Sequence, residues 1–348
     1  MNLIFKVMEA KPKVLIVYTG GTIGMIKDPA TEELSNVDFN LISRHVPEIN
    51  RLNIDIDSVS FDEPVDSSEI NVKHWKDIAE TIFENYLQYD GFVVLHGSDT
   101  MAFTASALSF MFDGLQKPVI LTGSQLPIGV IRTDGKENLI TALEIAAAKD
   151  EYDKSVITEV AVYFDYKLFR GNRCTKDSAE NFEAFRSPNY PELATAGVHL
   201  HYNTEKLYRS DNDQVAISSN LNDRIALVKL FPGINIDLYA AVFNKEDVDA
   251  VVIETFGAGN ASNSESLRRV VGDFISSGGL VLNITQCNSG SVEQGLYKSS
   301  SMFAEIGVIS GGNLTTEAAM TKLMASVDPK NLAQSRLKIS ENLRGELD

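Results

Sequence analysis

Val14-Leu15-Ile16-Val17-Tyr18 runs straight into Thr19-Gly20-Gly21-Thr22-Ile23-Gly24, and Phe92-Val93-Val94-Leu95 runs straight into His96-Gly97-Ser98-Asp99-Thr100. Each apolar run is short and continuous, the pattern of a strand covered on both faces of a parallel sheet. Each polar segment then falls at the carboxyl end of a strand, where open α/β sheets gather their ligands. Two such loops, carrying hydroxyls, a carboxylate and close-spaced glycines, predict a crevice in which chemistry is done.

The strand-like runs alternate with helical spacing. Trp75, Ile78, Ala79, Ile82, Phe83 and Tyr86 form one apolar helix face; Met101, Ala105, Leu108 and Phe112 mark a second helix; Leu139, Leu143 and Ala146 mark a third. Pro118 to Leu121 and Val160 to Phe164 are further strands, so the N-terminal part reads as a doubly wound α/β domain with a mainly parallel sheet. From about His201 to Asp223 the chain turns polar and loses its period. Beyond it, Ala226 to Leu230, Ala250 to Ile253 and Leu280 to Ile284 read as strands of a smaller α/β domain. A Ser262-x-x-Glu265 capping box is expected to open a helix bearing Leu267, Val270, Val271 and Phe274. The expected division is 1–203 for the first domain, 204–223 for a linker and 224–348 for the second. No internal repeat or low-complexity segment interrupts it.

A chain of 348 residues with 44% hydrophobic content supports two such cores. The net charge of -17 argues against a nucleic acid partner, because that binding rests on Lys and Arg neutralising phosphates. No apolar stretch approaches the roughly 18 residues of a membrane span, and Met1 to Pro12 lacks the pattern of a secretion signal, which places the protein in the cytoplasm. Cys174 and Cys287, the only two cysteines, are too few for a disulfide framework and lack the spacing of a metal site.

The glycines fail the phosphate-loop tests. Gly20, Gly21 and Gly24 do not fit G-x-G-x-x-G, no Gly-Lys-Ser/Thr follows them, and no G-x-S-x-G elbow is present. His96, close to the crevice, reads more readily as a structural hydrogen-bonding group than as an acid or base. What remains is a site of hydroxyls, a carboxylate and a lysine, a set able to cleave acyl bonds once a hydroxyl is activated. On the residues alone Thr22 reads equally well as a turn hydroxyl, Asp99 equally well as a helix N-cap, and Lys176 as a solvated surface lysine.

The chain resembles the bacterial L-asparaginases of the cytoplasmic type I branch. The likeness runs from about Lys13 to nearly the C-terminus, through Thr19 to Met25, Asp66-Ser67-Ser68, His96 to Met101, Thr122-Gly123-Ser124-Gln125, Arg170 to Lys176 and Asn342 to Leu347. It implies an L-asparaginase, an amidohydrolase of linear amides, that turns L-asparagine into L-aspartate and ammonia through a threonine ester and needs neither cofactor nor metal. Thr22 takes the place of the nucleophile, Ser98 of the second catalytic hydroxyl, Asp99 of its acidic neighbour and Lys176 of the lysine that completes the set. Asp66, Ser67, Ser68, Ser98 and Asp99 are the implied substrate-binding residues, with the Thr122-Gly123-Ser124 loop as support. The resemblance also implies self-association as a homodimer or a homotetramer built as a dimer of dimers, with the loop of Gly259 and Asn260 approaching a partner's pocket.

Three departures qualify it. Ser98 stands where the family usually has threonine, which keeps the hydroxyl but loses the methyl that restricts χ1. Met25 to Asn40 contains no tyrosine, although many members carry an activating one in this loop; Lys176 and Ser98, or a tyrosine from elsewhere, are left to do its work. Glu254 stands where some type I members have an effector-binding arginine; with Thr175 and Cys287 it outlines a vestigial effector site that repels the carboxylate of asparagine. Mixed glutaminase and asparaginase activity is the nearest alternative, because one methylene separates the substrates by only about 1–3 kcal/mol. Two other readings stay open: an amidase subunit feeding ammonia to a transfer-RNA-dependent amidotransferase, and a non-catalytic amino-acid sensor on the same fold.

Overall fold

Alternation along Lys13–Tyr18 sends Leu15 and Val17 into one core, with Trp75, Ile78, Ile82 and Leu108, and Val14, Ile16 and Tyr18 into another, with Leu139, Leu143 and Ile145. Both faces of the strand are therefore dry, and the run needs no polar residue. This computed structural model describes residues 11–27, 34–36, 42, 44–294 and 298–348. All but the last two residues of the Met1 to Pro12 reading, and much of the loop up to Asn40, lie outside them.

The strand sits in an eight-stranded sheet, ordered Leu200–Tyr202, Ala194–Ala196, Lys167–Arg170, Val160–Phe164, Val119–Thr122, Gly91–Leu95, Lys13–Tyr18 and Asp55–Ser60. The last five are parallel to one another, and the first three extend the sheet antiparallel. Helices Val72–Asn85 and Met101–Met111 cover one face and Gly135–Ala147 the other, which makes the domain doubly wound. Asp55–Ser60 escapes a sequence reading because it is an exposed edge strand with no apolar run. The second helix stops at Met111; Phe112, expected on its face, begins a two-residue strand with Asp113 that pairs with Ala216–Ile217.

Four parallel strands, Ile225–Lys229, Ala250–Thr255, Leu280–Thr285 and Ile309–Ser310, form the second sheet in sequence order. Leu267, Val270, Val271 and Phe274 of helix Glu265–Ser276 pack on one face, and Ala318, Ala319 and Leu323 of Thr316–Ser326 on the other. The helix cap is Ser264, not Ser262: its Oγ accepts from the Leu267 amide at 3.3 Å. Glu265 is then the first helical residue, two positions too early to close a capping box.

The two sheets are clasped by the C-terminal tail. Arg170 Nη1 and Arg173 Nε donate to the Gly345 carbonyl at 3.0 and 2.8 Å, and Asn172 Nδ2 donates to that of Arg344 at 3.0 Å. Lys322, on a helix of the second domain, pairs with Glu346 at 2.7 Å, both side chains fully buried. The Glu346 carboxylate also accepts from the Leu343 and Arg344 amides, so it is well satisfied. Replacing one partner of such a pair strands the other charge. Lys322→Met is expected to cost about 3–5 kcal/mol, read as a fall in the urea midpoint, and a second change, Glu346→Leu, is expected to recover most of it.

Candidate active site

Gly20 and Gly21 have φ of 125° and 88°, backbone that residues with side chains rarely adopt. They also lie where no side chain fits: a Cβ on Gly21 would overlap the backbone of Gly97, and one on Gly97 would fall 2.5 Å from Ser67 Oγ. Thr19 donates its amide and hydroxyl to the Leu95 carbonyl at 3.0 and 2.9 Å, and the Val65 amide donates back to Thr19 at 2.8 Å. Three loops are thus stitched together at the carboxyl ends of the parallel strands. They bring Thr22, Ser67 and Ser98 to one place.

Thr22 opens a single 3-10 turn, Thr22–Gly24, and is half-buried. Ser67 and Ser68 belong to a second short turn, Ser67–Glu69, capped by Asp66, which accepts from the amide and the hydroxyl of Ser68, both at 2.8 Å. These bonds hold the Asp66 carboxyl below its usual range. Thr100 Oγ1 donates to the Ser67 carbonyl at 2.6 Å, tying this turn to the Ser98 loop.

Asp99 does not cap the helix. Thr100 occupies that position, without a side-chain cap bond, while Asp99 Oδ1 meets Lys176 Nζ at 2.6 Å. Lys176 rises from the two-residue strand Thr175–Lys176, paired with Phe185–Arg186, and its Nζ also donates to Ser98 Oγ at 2.9 Å. The lysine side chain is 15% exposed, against 64% for the aspartate, so the amine is held inside and its counter-ion faces water. It is not a solvated surface lysine. Gln125, which sequence reading left without a role, accepts from Ser98 Oγ at 3.0 Å. The available signal was its position, three residues past the Val119–Thr122 strand, at the same carboxyl end of the parallel strands.

His96 is fully buried and belongs to the scaffold. Its Nδ1 faces the Gly97 carbonyl at 2.7 Å, an acceptor only, so Nδ1 carries the proton and Nε2 accepts from Thr104 Oγ1 at 2.9 Å. Thr104 in turn accepts from Trp75 Nε1 at 3.0 Å. Burial pushes the imidazole pKa down to about 4.

Thr175, Glu254 and Cys287 line one cavity of about 160 Å³ with Lys229 and Glu317. Glu254 accepts from Thr316 Oγ1 at 2.7 Å and pairs with Lys229 at 3.2 Å; Thr175 Oγ1 donates to Glu317 at 2.7 Å. Burial raises the Glu317 pKa, and the neighbouring Glu254 adds to it. Gly259 and Asn260 form a tight turn in which the Phe256 and Asn260 backbones bond to each other, with Gly259 at φ 95°.

Residues 13–208 match the family "Asparaginase, N-terminal" and residues 224–335 the "Glutaminase/Asparaginase C-terminal domain". The chain belongs to the asparaginase family. Its relatives include L-asparaginase 1 of Escherichia coli K12, 38% identical over 344 residues that cover 97% of this chain and 98% of the relative. The fold superposes on the crystal structure of L-asparaginase I from Vibrio cholerae with a TM-score of 0.86 at 36% identity, covering 97% of this chain and all of that one. It superposes on the thermostable L-asparaginase of Thermococcus kodakarensis with a TM-score of 0.88 at 30% identity, covering 97% and 99% of the two chains. The type I likeness and the two-domain asparaginase fold are thereby established. Among the described residues no helix is long and apolar enough to cross a membrane, and no cluster of three or more metal-ligating side chains occurs.

The depressed His96 pKa gives a signed expectation. Between about pH 6.5 and 4 the unfolded chain binds a proton that the native imidazole refuses, so this residue's contribution is complete above 6.5 and is lost as pH falls, by about 3 kcal/mol in all. Nitrogen NMR of histidine-labelled protein should show the His96 ring neutral, with Nδ1 protonated, down to pH 5; titration near pH 6.5 would contradict the assignment.

Proposed function

We propose that this protein hydrolyses the side-chain amide of L-asparagine to L-aspartate and ammonia, with Thr22 as nucleophile. The observation that carries this reading is the Lys176, Ser98 and Asp99 constellation, held against the loop of Thr22 by the Gly21 and Gly97 contact. The Thr22 hydroxyl oxygen attacks the amide carbon, its proton passing through neighbouring groups to the leaving nitrogen. Ammonia departs and leaves a β-aspartyl ester; water then attacks that ester, releasing aspartate and returning the proton to Thr22 Oγ1. Backbone amides around Ser98 supply the oxyanion donors, each worth about 3 kcal/mol of barrier.

In this reading Ser67 meets the substrate's α-carboxylate and Asp99 its α-amino group, a pair that selects a free amino acid; the Asp66 and Ser68 bonds, which keep the Ser67 turn in shape, support it. With no tyrosine in Met25 to Asn40, Lys176 and Ser98 carry the activation. Tyr18 is fully buried beneath Gly24, where a Cβ would strike its hydroxyl, and this supports a packing role for it. The site is completed in a homodimer or homotetramer by Gly259 and Asn260 of the partner subunit, the linker spans 204–223, and the protein works in the cytoplasm. Glu254 makes the Thr175 and Cys287 cavity acidic, which disfavours an amino-acid carboxylate there.

Two measurements test this. Ammonia release from L-asparagine and, in parallel, L-glutamine should show turnover of asparagine that falls by at least about 10³-fold in Thr22→Ala; no release by the folded wild type would leave the sensor reading. Asparagine saturation should be hyperbolic, with Glu254→Ala leaving the curve shape unchanged. A sigmoid curve that Glu254→Ala makes hyperbolic would return the cavity to effector binding.

A further inference from the structure

Ser98 has one proton and two lone pairs to place, and the surrounding groups dictate where the proton goes. Lys176 Nζ has no acceptor capacity, so across the 2.9 Å contact Ser98 Oγ must accept. At the other contact the question is which end of the Gln125 amide faces the serine. Gln125 also reaches the Asn181 main-chain carbonyl at 3.0 Å; that oxygen only accepts, so the nearer amide end is NH2, and Oε1 is the end turned to Ser98. The Ser98 proton therefore points at Gln125 and one lone pair at Lys176, leaving the other lone pair uncommitted.

We infer that Gln125 is the positioning residue for Ser98, doing with a hydrogen bond what the methyl of a threonine does by crowding χ1. A serine hydroxyl by itself samples three staggered wells, and a threonine fewer. Gln125 selects one well here and fixes the proton's direction with it. Its own geometry is set from outside the site. The Asp134 carboxylate accepts from the Gln125 and Leu126 amides at 2.9 and 3.1 Å, and Thr133 Oγ1 donates to the Leu126 carbonyl at 3.0 Å. Asp134 also accepts from Asn138 Nδ2 at 3.2 Å. The backbone under Gln125 thus stays in place whatever its side chain, and Asn181, five residues past Lys176, links the amide to the segment that delivers the lysine. This role rests on the reading of Ser98 as a working hydroxyl in the proposed amidohydrolase.

The test is a double-mutant cycle on steady-state ammonia release from L-asparagine. Gln125→Met, near in volume and unable to bond, should lower kcat about 10-fold, the worth of one lost hydrogen bond with its rotamer, while KM moves less than about twofold. In the Ser98→Thr background the same change should cost less than about threefold, because the added methyl restores the restriction. A kcat unaffected by Gln125→Met, or an equal loss in both backgrounds, overturns the inference; the second pattern would make Gln125 a support for the Asn181 loop only. If Gln125→Met does not fold, judged by circular dichroism and melting, Gln125→Asn, which leaves the amide one methylene short, replaces it in the same cycle and is read by the same criteria. Absence of turnover by the wild-type enzyme would instead defeat the proposed function, so the two failures are separable.

Discussion

The contact between the Gly21 and Gly97 backbones is the constraint on which the site depends. Two loops from adjacent parallel strands approach so closely that Gly21 has no room for a Cβ, Ser67 closes the same space over Gly97, and Gly21 takes the positive φ that lets the chain turn away immediately afterwards. Thr22 and Ser98 are the residues next in the chain. Their proximity is a property of backbone packing rather than of any attraction between hydroxyls, so it is present before a substrate arrives.

Around that contact the polar groups divide into those spent on the scaffold and those left facing the crevice. His96, Thr104 and Trp75 form a buried, fully paired chain that ends on the Gly97 carbonyl, and burial keeps its imidazole neutral. Asp66 is spent on the Ser68 turn. Lys176, by contrast, is poised between Ser98 and Asp99, its amine mostly enclosed and the carboxylate open to water. A single histidine in the crevice invites an acid-base assignment; the acceptor at its Nδ1 and its depth in the core argue for scaffold instead.

Lys176 reaches this place because the segment from Arg170 onward is anchored far from it in sequence. Arg170, Asn172 and Arg173 grip the last residues of the chain, and the buried Lys322 and Glu346 pair holds that tail to the second domain. The two motifs, Arg170 to Lys176 and Asn342 to Leu347, are one structural unit. Glu159, buried against Arg170 at 2.7 Å and accepting from the Tyr208 amide, is a further part of it that no sequence pattern announces.

The class of fold was legible in the order of residues alone, because a strand dry on both faces must be apolar throughout and a covering helix must be apolar on one side; the runs at Val14, Phe92, Val160, Ala250 and Leu280 meet that demand openly. The sequence also named Thr22, Ser98, Asp99 and Lys176 through motif likeness, though their chemistry alone left turn, cap and surface readings standing. The cap reading of Asp99 and the surface reading of Lys176 fall only in the folded chain, since 77 residues separate them and a 2.6 Å contact across that distance is created by sheet order and tail anchoring. The tertiary structure alone gave Gln125 a partner, moved the helix cap to Ser264, ended the second helix before Phe112 and exposed the edge strand Asp55–Ser60. Each turns on which neighbour a residue meets, and local period and propensity do not carry that information.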